Sequence, residues 1–211
     1  MISPILRQLD VPNLFTLTGL IASLGCAILA VQGHFYAAVI CMMGSGLVDM
    51  LDGVLARRMK RSPLQSEVGK QLDTIVDVCS FGFTPAIFAY CFGLNDLISL
   101  VLLTFYISMT ALRLAYFNST GLLAGDDNAQ KEYFMGLPVT YSALFIPSVF
   151  TINSITSPPT MKWILGGVYA LLAIAMVANF RMLKLRGLWY GFFGLGAVVL
   201  IGFYSWMIIV E

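Results

Sequence analysis

Residues 47–78 read LVDMLDGVLARRMKRSPLQSEVGKQLDTIVDV, and two pairs of aspartates interrupt what are otherwise apolar helical runs. Asp49 and Asp52 are spaced i, i+3, and Asp73 and Asp77 i, i+4, so each pair lies on one face of its helix. A carboxylate inside a bilayer costs roughly 2.5–3.5 kcal/mol on insertion scales, and such residues mark function by default. Two acidic faces turned toward each other make an oxygen cage, the donor set that hard divalent cations take. Ion pairing with the intervening arginines is the competing structural account. A cation or proton transporter is the competing functional one, but such sites lie near the midplane between repeated halves, and the chain shows no internal repeat.

Working outward, the 211 residues are 59% hydrophobic and only 11% charged, with a mean hydropathy of +0.86. Soluble domains carry about a quarter charged residues, so the composition specifies an integral membrane protein. Period-two alternation is absent, and open sheets cannot satisfy their backbone in lipid. The expected fold is therefore a single all-α polytopic domain over residues 1–211. Seven segments have the right length: Asn13–Gln32, Phe35–Arg57, Ser66–Phe92, Leu97–Phe117, Met135–Ile155, Met161–Phe180 and Leu188–Val210. Cys26, Cys41, Cys79 and Cys91 fall in apolar runs without metal-type spacing and read as small buried hydrophobes. The start, MISPILRQLDVPN, lacks the features of a cleaved signal, so the first apolar run is expected to be retained.

Charge gives the orientation. Arg7, Arg57, Arg58, Lys60, Arg61, Lys70, Lys131, Arg181, Lys184 and Arg186 fall in or beside one set of loops, and the opposite set carries only Lys162. The positive-inside rule places the N-terminus in the cytoplasm and Glu211 outside. Arg113 is the one basic residue left inside a helix. All four aspartates then lie roughly 5–15 Å below the cytoplasmic surface at 1.5 Å per helical residue, in a cavity open to the cytosol. Metal-binding carboxylates beside cations suit a substrate that carries phosphates. Gly53 removes a side chain where a charged group can approach the backbone. The polar connection Asn118–Glu132 reads as a plain loop, with a lid at the mouth of the site as the alternative.

At these residues the sequence resembles the CDP-alcohol phosphotransferase family. Asp49-x2-Asp52-Gly53-x2-Ala56-Arg57, eleven residues, then Gly69-x3-Asp73-x3-Asp77 matches the family signature at every fixed position. Pro12-Asn13-x2-Thr16 is similar to the family's opening. Beyond the signature, three runs are similar to its phosphatidylserine synthase branch: Asp77-x2-Ser80-Phe81-Gly82-x2-Pro85-Ala86, Leu112-Arg113-Leu114-Ala115-x-Phe117-Asn118 and Tyr133-Phe134-x-Gly136-Leu137-Pro138. One position departs from that branch: Tyr116 stands where a second arginine is common.

The resemblance implies transfer of a phosphatidyl group from CDP-diacylglycerol, or an archaeal analogue, to the hydroxyl of serine, with release of CMP. It implies one or two Mg²⁺ or Mn²⁺ ions held by Asp49, Asp52, Asp73 and Asp77, and Asp77 as general base. It further implies a nucleotide site shaped by Asn13, Thr16, Asp52, Gly53, Ala56, Arg57 and Gly69. Arg113 is the candidate for the acceptor's anionic group, because a buried guanidinium needs an anion; a structural pairing is the alternative. Ser80 and Asn118 are lesser candidates for acceptor contacts. Inositol phosphate, glycerol phosphate or another small alcohol are the alternative acceptors. A homodimer in a prokaryotic plasma membrane, with the site facing the cytoplasm and no nucleic-acid partner, completes the expectation.

Overall fold

The computed structural model describes residues 3–121, 123–124, 132–183 and 188–210. Its helices are α1 (Val11–Val31), α2 (Phe35–Arg58), α3 (Pro63–Phe92), α4 (Leu97–Thr120), α5 (Ser142–Phe150), α6 (Pro158–Val177) and α7 (Leu188–Val210). Five of these, α1 to α4 and α6, are long and apolar enough to cross a membrane, and α7 contains a shorter apolar stretch. The protein is an all-α membrane bundle.

Local chemistry sets the helix ends. Asp10 caps α1 by accepting the Asn13 N–H at 3.0 Å, with Pro12 in the first turn. The turn at Gln32–His34 uses Gly33 at φ 82°, a left-handed conformation that favours glycine. It folds α2 back along α1, so that Gly19 meets Val48 and Gly25 meets Cys41. Ser62 and Gln65 form a reciprocal capping box with Pro63 at the first helical position. That box starts α3 earlier than hydropathy alone predicts at Ser66. Asp96 caps α4 through the Ser99 N–H and hydroxyl and also accepts from Lys162 at 2.7 Å, joining the starts of α4 and α6. The Lys162 ammonium, helped by the Ser99 donors, holds the Asp96 carboxyl below the usual carboxylate range.

One wide turn of π-helix, Val78–Phe83, interrupts α3 directly after Asp77, and the Thr84 N–H reaches back five residues to the Cys79 carbonyl. Pro85 follows, and it has no N–H for the Phe81 carbonyl four residues behind it. The buried Tyr106 hydroxyl donates to that carbonyl at 2.5 Å instead. The Tyr169 and Tyr204 hydroxyls donate to the Pro85 and Pro147 carbonyls, each at 2.5 Å. In an apolar interior a carbonyl left open would be costly, and Tyr106 on the neighbouring helix supplies the donor that Pro85 removes. Phe35, Phe88, Phe92 and Phe150 pack edge to face with one another, and Phe150 also stacks against Tyr204.

Two features depart from the expected helices. The segment Met135–Ile155 is not one helix: β2 (Glu132–Met135) precedes it, and α5 is flanked by tight turns at Val139–Tyr141 and Thr151–Ser154. Gly136, at φ 67°, turns where a Cβ would strike the Met176 carbonyl, and Pro138 and Pro147 remove helical donors. Second, β1 (Leu123–Ala124), β2 and β3 (Arg181–Leu183) form a small antiparallel sheet in the order β1-β2-β3. It lies in the loops, where strand edges are free of the lipid constraint, and its short length left no alternation to read. The plain-loop or lid question for Asn118–Glu132 falls largely on residues 122 and 125–131, outside the described residues.

The starts of α1 and α3 are tied by Arg61. Its guanidinium donates to Asp10 at 2.6 Å, to the Asn13 carboxamide oxygen at 2.5 Å and to the Gln65 carbonyl at 2.8 Å. Gly69 makes the joint possible, since a Cβ there would come within 2.6 Å of the Asn13 oxygen. The Arg61 and Asp10 side chains are only 11% and 14% exposed, so losing one partner leaves a largely desolvated charge. Arg61→Ala should lower the apparent melting temperature in detergent by roughly 5–10 °C, from a loss of about 2–3 kcal/mol. Lys60→Ala, at an exposed neighbour, should leave it within about 1 °C.

Candidate active site

The two acidic faces meet. One oxygen from each of Asp49, Asp52 and Asp73 lies within 4.8 Å of the other two. Asp77, one turn further along α3, is within hydrogen-bonding reach of Asp49. Thr16 of α1 donates to Asp52 at 3.0 Å, fixing that carboxylate in the cluster. Gly19 on α1 lets this contact form, since a Cβ there would already press on Val48 at 3.3 Å. Hard oxygen donors from two helices, collected in one place beside little compensating charge, fit a divalent cation. Asp49, Asp52 and Asp73 are the residues that would hold it.

Beneath the acids a small cavity of about 10 Å³, lined by Thr16, Ser45 and Ser80 among others, has room for about one water. Above them opens a cavity of about 350 Å³. Asp49, Asp73 and Asp77 form its acidic wall, with Gly53 and Arg57 at the edge. Arg113, Phe117, Asn118 and Phe134 line it from the α4 and β2 side, and Met43, Leu47 and Leu144 add apolar surface.

Arg113 faces Asp49 and Asp77 closely enough to feel both charges, but it makes no ion pair among the described residues. Its Nε is buried without a hydrogen-bond partner. The guanidinium carbon lies 5.1 Å from the Phe117 ring centroid and 5.7 Å from that of Phe134. A structural pairing would have consumed these donors. Instead Arg113 lines the large cavity with its Nε donor unused.

The remaining expected residues separate into three groups. Gly53, Arg57 and Asn118 line the large cavity, and Asn118 donates to Thr74 at 2.6 Å. Thr16 and Ser80 line the small one; Ser80 is buried and bonded to Ser23 at 2.6 Å, so it lies below the acids rather than in the large cavity. Asn13 and Gly69 belong to the Arg61 joint, and neither they nor Ala56 line either cavity. Tyr116 is 47% exposed and does not line the large cavity, so the departure at that position takes nothing from its wall. Reading the sequence missed Arg61 as a joint and Phe134 as a cavity residue. Phe134 stands in the Tyr133–Pro138 run, but nothing in its spacing places a loop residue over an arginine of α4.

This is a polytopic helical membrane protein whose paired acidic helices open on a cavity with an unpaired arginine opposite. The family model for CDP-alcohol phosphatidyltransferase matches residues 9–179, and the chain belongs to that family. A CDP-diacylglycerol–serine O-phosphatidyltransferase of Saccharomyces cerevisiae is 37% identical over 93 residues, 43% of this chain and 33% of the yeast protein. An archaetidylserine synthase of Methanothermobacter thermautotrophicus is 31% identical over 140 residues, 66% of this chain and 57% of that protein. A CDP-diacylglycerol–serine O-phosphatidyltransferase of Helicobacter pylori is 28% identical over 176 residues, covering 81% of this chain and 70% of its own length. The chain thus spans a third to somewhat over half of the first two relatives.

Replacing any one of the three clustered carboxylates should be felt by the metal. Asp49→Asn, Asp52→Asn and Asp73→Asn should each weaken Mn²⁺ binding more than about tenfold in an electron paramagnetic resonance titration. Asp96→Asn, at the opposite end of the bundle, should leave it unchanged.

Proposed function

We propose that the chain transfers a phosphatidyl-type group from a CDP-linked lipid to the hydroxyl of serine, releasing CMP. The observation that carries this reading is one cavity with the carboxylate cluster on one wall and the unpaired Arg113 guanidinium on the other. Family membership supplies the donor class, and the three named relatives support serine as acceptor. Arg113 alone offers one guanidinium, which matches a single carboxylate better than a phosphate dianion.

The arginine-rich end faces the cytoplasm on the charge distribution, in a prokaryotic plasma membrane, and a homodimer is expected from the family resemblance. The acyl chains remain beside the apolar lining of α2 and α5 while the CDP head enters the cavity. Arg57 lies where a pyrophosphate oxygen can be neutralised. A divalent ion on Asp49, Asp52 and Asp73, when bound, would supply charge neutralisation of the pyrophosphate. Arg113 orients serine through its carboxylate, and Asp77 takes the proton from its hydroxyl. The serine oxygen bonds to the lipid-side phosphorus, the bond from that phosphorus to the bridging oxygen breaks, and CMP departs with the electron pair. Asp77 sits against Asp49 rather than among the three clustered oxygens, which suits a group that both orients the acceptor and accepts its proton.

The test is CMP release by purified protein in lipid discs containing CDP-diacylglycerol, with Mg²⁺ or Mn²⁺ and a panel of alcohols. Serine should give turnover and inositol phosphate or glycerol phosphate should not. Asp77→Asn should reduce CMP release at least about a hundredfold with CDP-lipid binding kept. Arg113→Ala should raise the KM for serine more than about tenfold, and that for CDP-lipid far less. Metal flux into proteoliposomes without CMP release would instead assign a transporter.

A further inference from the structure

Phe134 is carried by the central strand of the small sheet, yet its ring lines the acid-walled cavity and faces the Arg113 guanidinium. Phe117, one turn beyond Arg113 on α4, faces it as well. The two rings also meet each other, with centroids 5.7 Å apart and planes tilted by 44°. A guanidinium keeps all its N–H donors in its plane. Rings near its faces can attract the cation and limit its rotation without using a single donor. Carboxylates or carbonyls in the same places would have consumed the N–H groups that Arg113 still has.

The backbone around Phe134 is fixed at several points. Strand β2 pairs with β1 on one side and with β3 on the other, setting Phe134 opposite Met182. Just beyond it, the Gly136 N–H donates to the Phe180 carbonyl at 3.0 Å and the Leu137 N–H to the Ala175 carbonyl at 2.9 Å. Gly136 fits there only because a Cβ would strike the Met176 carbonyl. The loop between α4 and α5 is thereby pinned to the end of α6, and the Phe134 ring is held over Arg113.

We infer that Phe134, together with Phe117, is a specificity-determining positioning residue that holds the Arg113 guanidinium with its free N–H edge toward the acceptor's carboxylate. This rests on the reading of the acceptor as serine. It adds that selection for a carboxylate depends on two aromatic rings as well as on the arginine. One of those rings is delivered by a loop sheet outside the signature helices.

The test compares serine with serinol, in which a hydroxymethyl group replaces the carboxylate, as acceptors for the protein in lipid discs with CDP-diacylglycerol and Mn²⁺. Phe134→Leu should raise the KM for serine about tenfold, leave that for CDP-diacylglycerol within about twofold, and cut the serine-to-serinol ratio of kcat/KM about tenfold. Phe134→Tyr, which keeps the ring face, should stay near the parent protein. Phe117→Leu should repeat the pattern of Phe134→Leu and serves if that variant fails to accumulate. Leucine variants that keep the serine-to-serinol ratio, or that raise both KM values equally, overturn the positioning role. A parent protein that uses serinol as efficiently as serine overturns carboxylate selection, one that does not use serine overturns the serine reading itself, and both results are visible before any variant is made.

Discussion

Four carboxylates held within apolar helices are the constraint around which this molecule is arranged. Each alone is expensive in hydrocarbon, and together they repel. The bundle neither disperses them nor pairs each with an arginine. It concentrates them: three oxygens converge within 4.8 Å, a threonine from α1 steadies one, and the fourth acid presses on the first. Such a cluster is useful when a cation joins it and an anionic substrate follows. The cavity above it, with Arg57 at its edge and Arg113 opposite, has the charges for that sequence.

The helices pack so that these acids stay in register. Gly19 admits Val48, and Gly46 admits Ala143 at a hypothetical Cβ separation of 2.9 Å. α2 can therefore approach α1 on one side and α5 on the other while Asp49 and Asp52 keep their direction. The π turn follows Asp77 directly and widens α3 where Pro85 would have left a carbonyl open. Tyr106 answers from α4, the same helix that carries Arg113. The two walls of the cavity are thus joined by a hydrogen bond below it, while the Arg61 joint ties α3 to α1 near the helix starts.

Most of this was legible where residue type and spacing carry the physics. Asp49, Asp52, Asp73 and Asp77 announced themselves because acids are rare in apolar helices. Gly53 and Arg57 followed from their positions beside them. Arg113 stood out as a lone charge in a span, but its freedom from partners was not in the sequence, since a helical arginine can reach several carbonyls or acids. Asn13 and Gly69 stand in the family motifs, but their part in the Arg61 joint needs the crossing of two helix starts that are distant along the chain. The broken segment around Gly136 and Pro147 reads as apolar throughout, and hydropathy does not register a missing N–H. Phe134 was hidden for a related reason: a short strand in a loop has no period to detect, and its inward ring depends on pairing with a segment some fifty residues away.

On the proposed reading the residues that choose the acceptor are Arg113 and the two rings against it, while Tyr116 stands away from the cavity. The most direct test of the account is to supply serine labelled with ¹⁸O in its hydroxyl, together with CDP-diacylglycerol and Mn²⁺, and to read both products by mass spectrometry. Attack by the serine hydroxyl on the lipid-side phosphorus predicts the label in the phosphodiester of the lipid and none in CMP. Label in CMP, or a lipid product without it, would contradict that account.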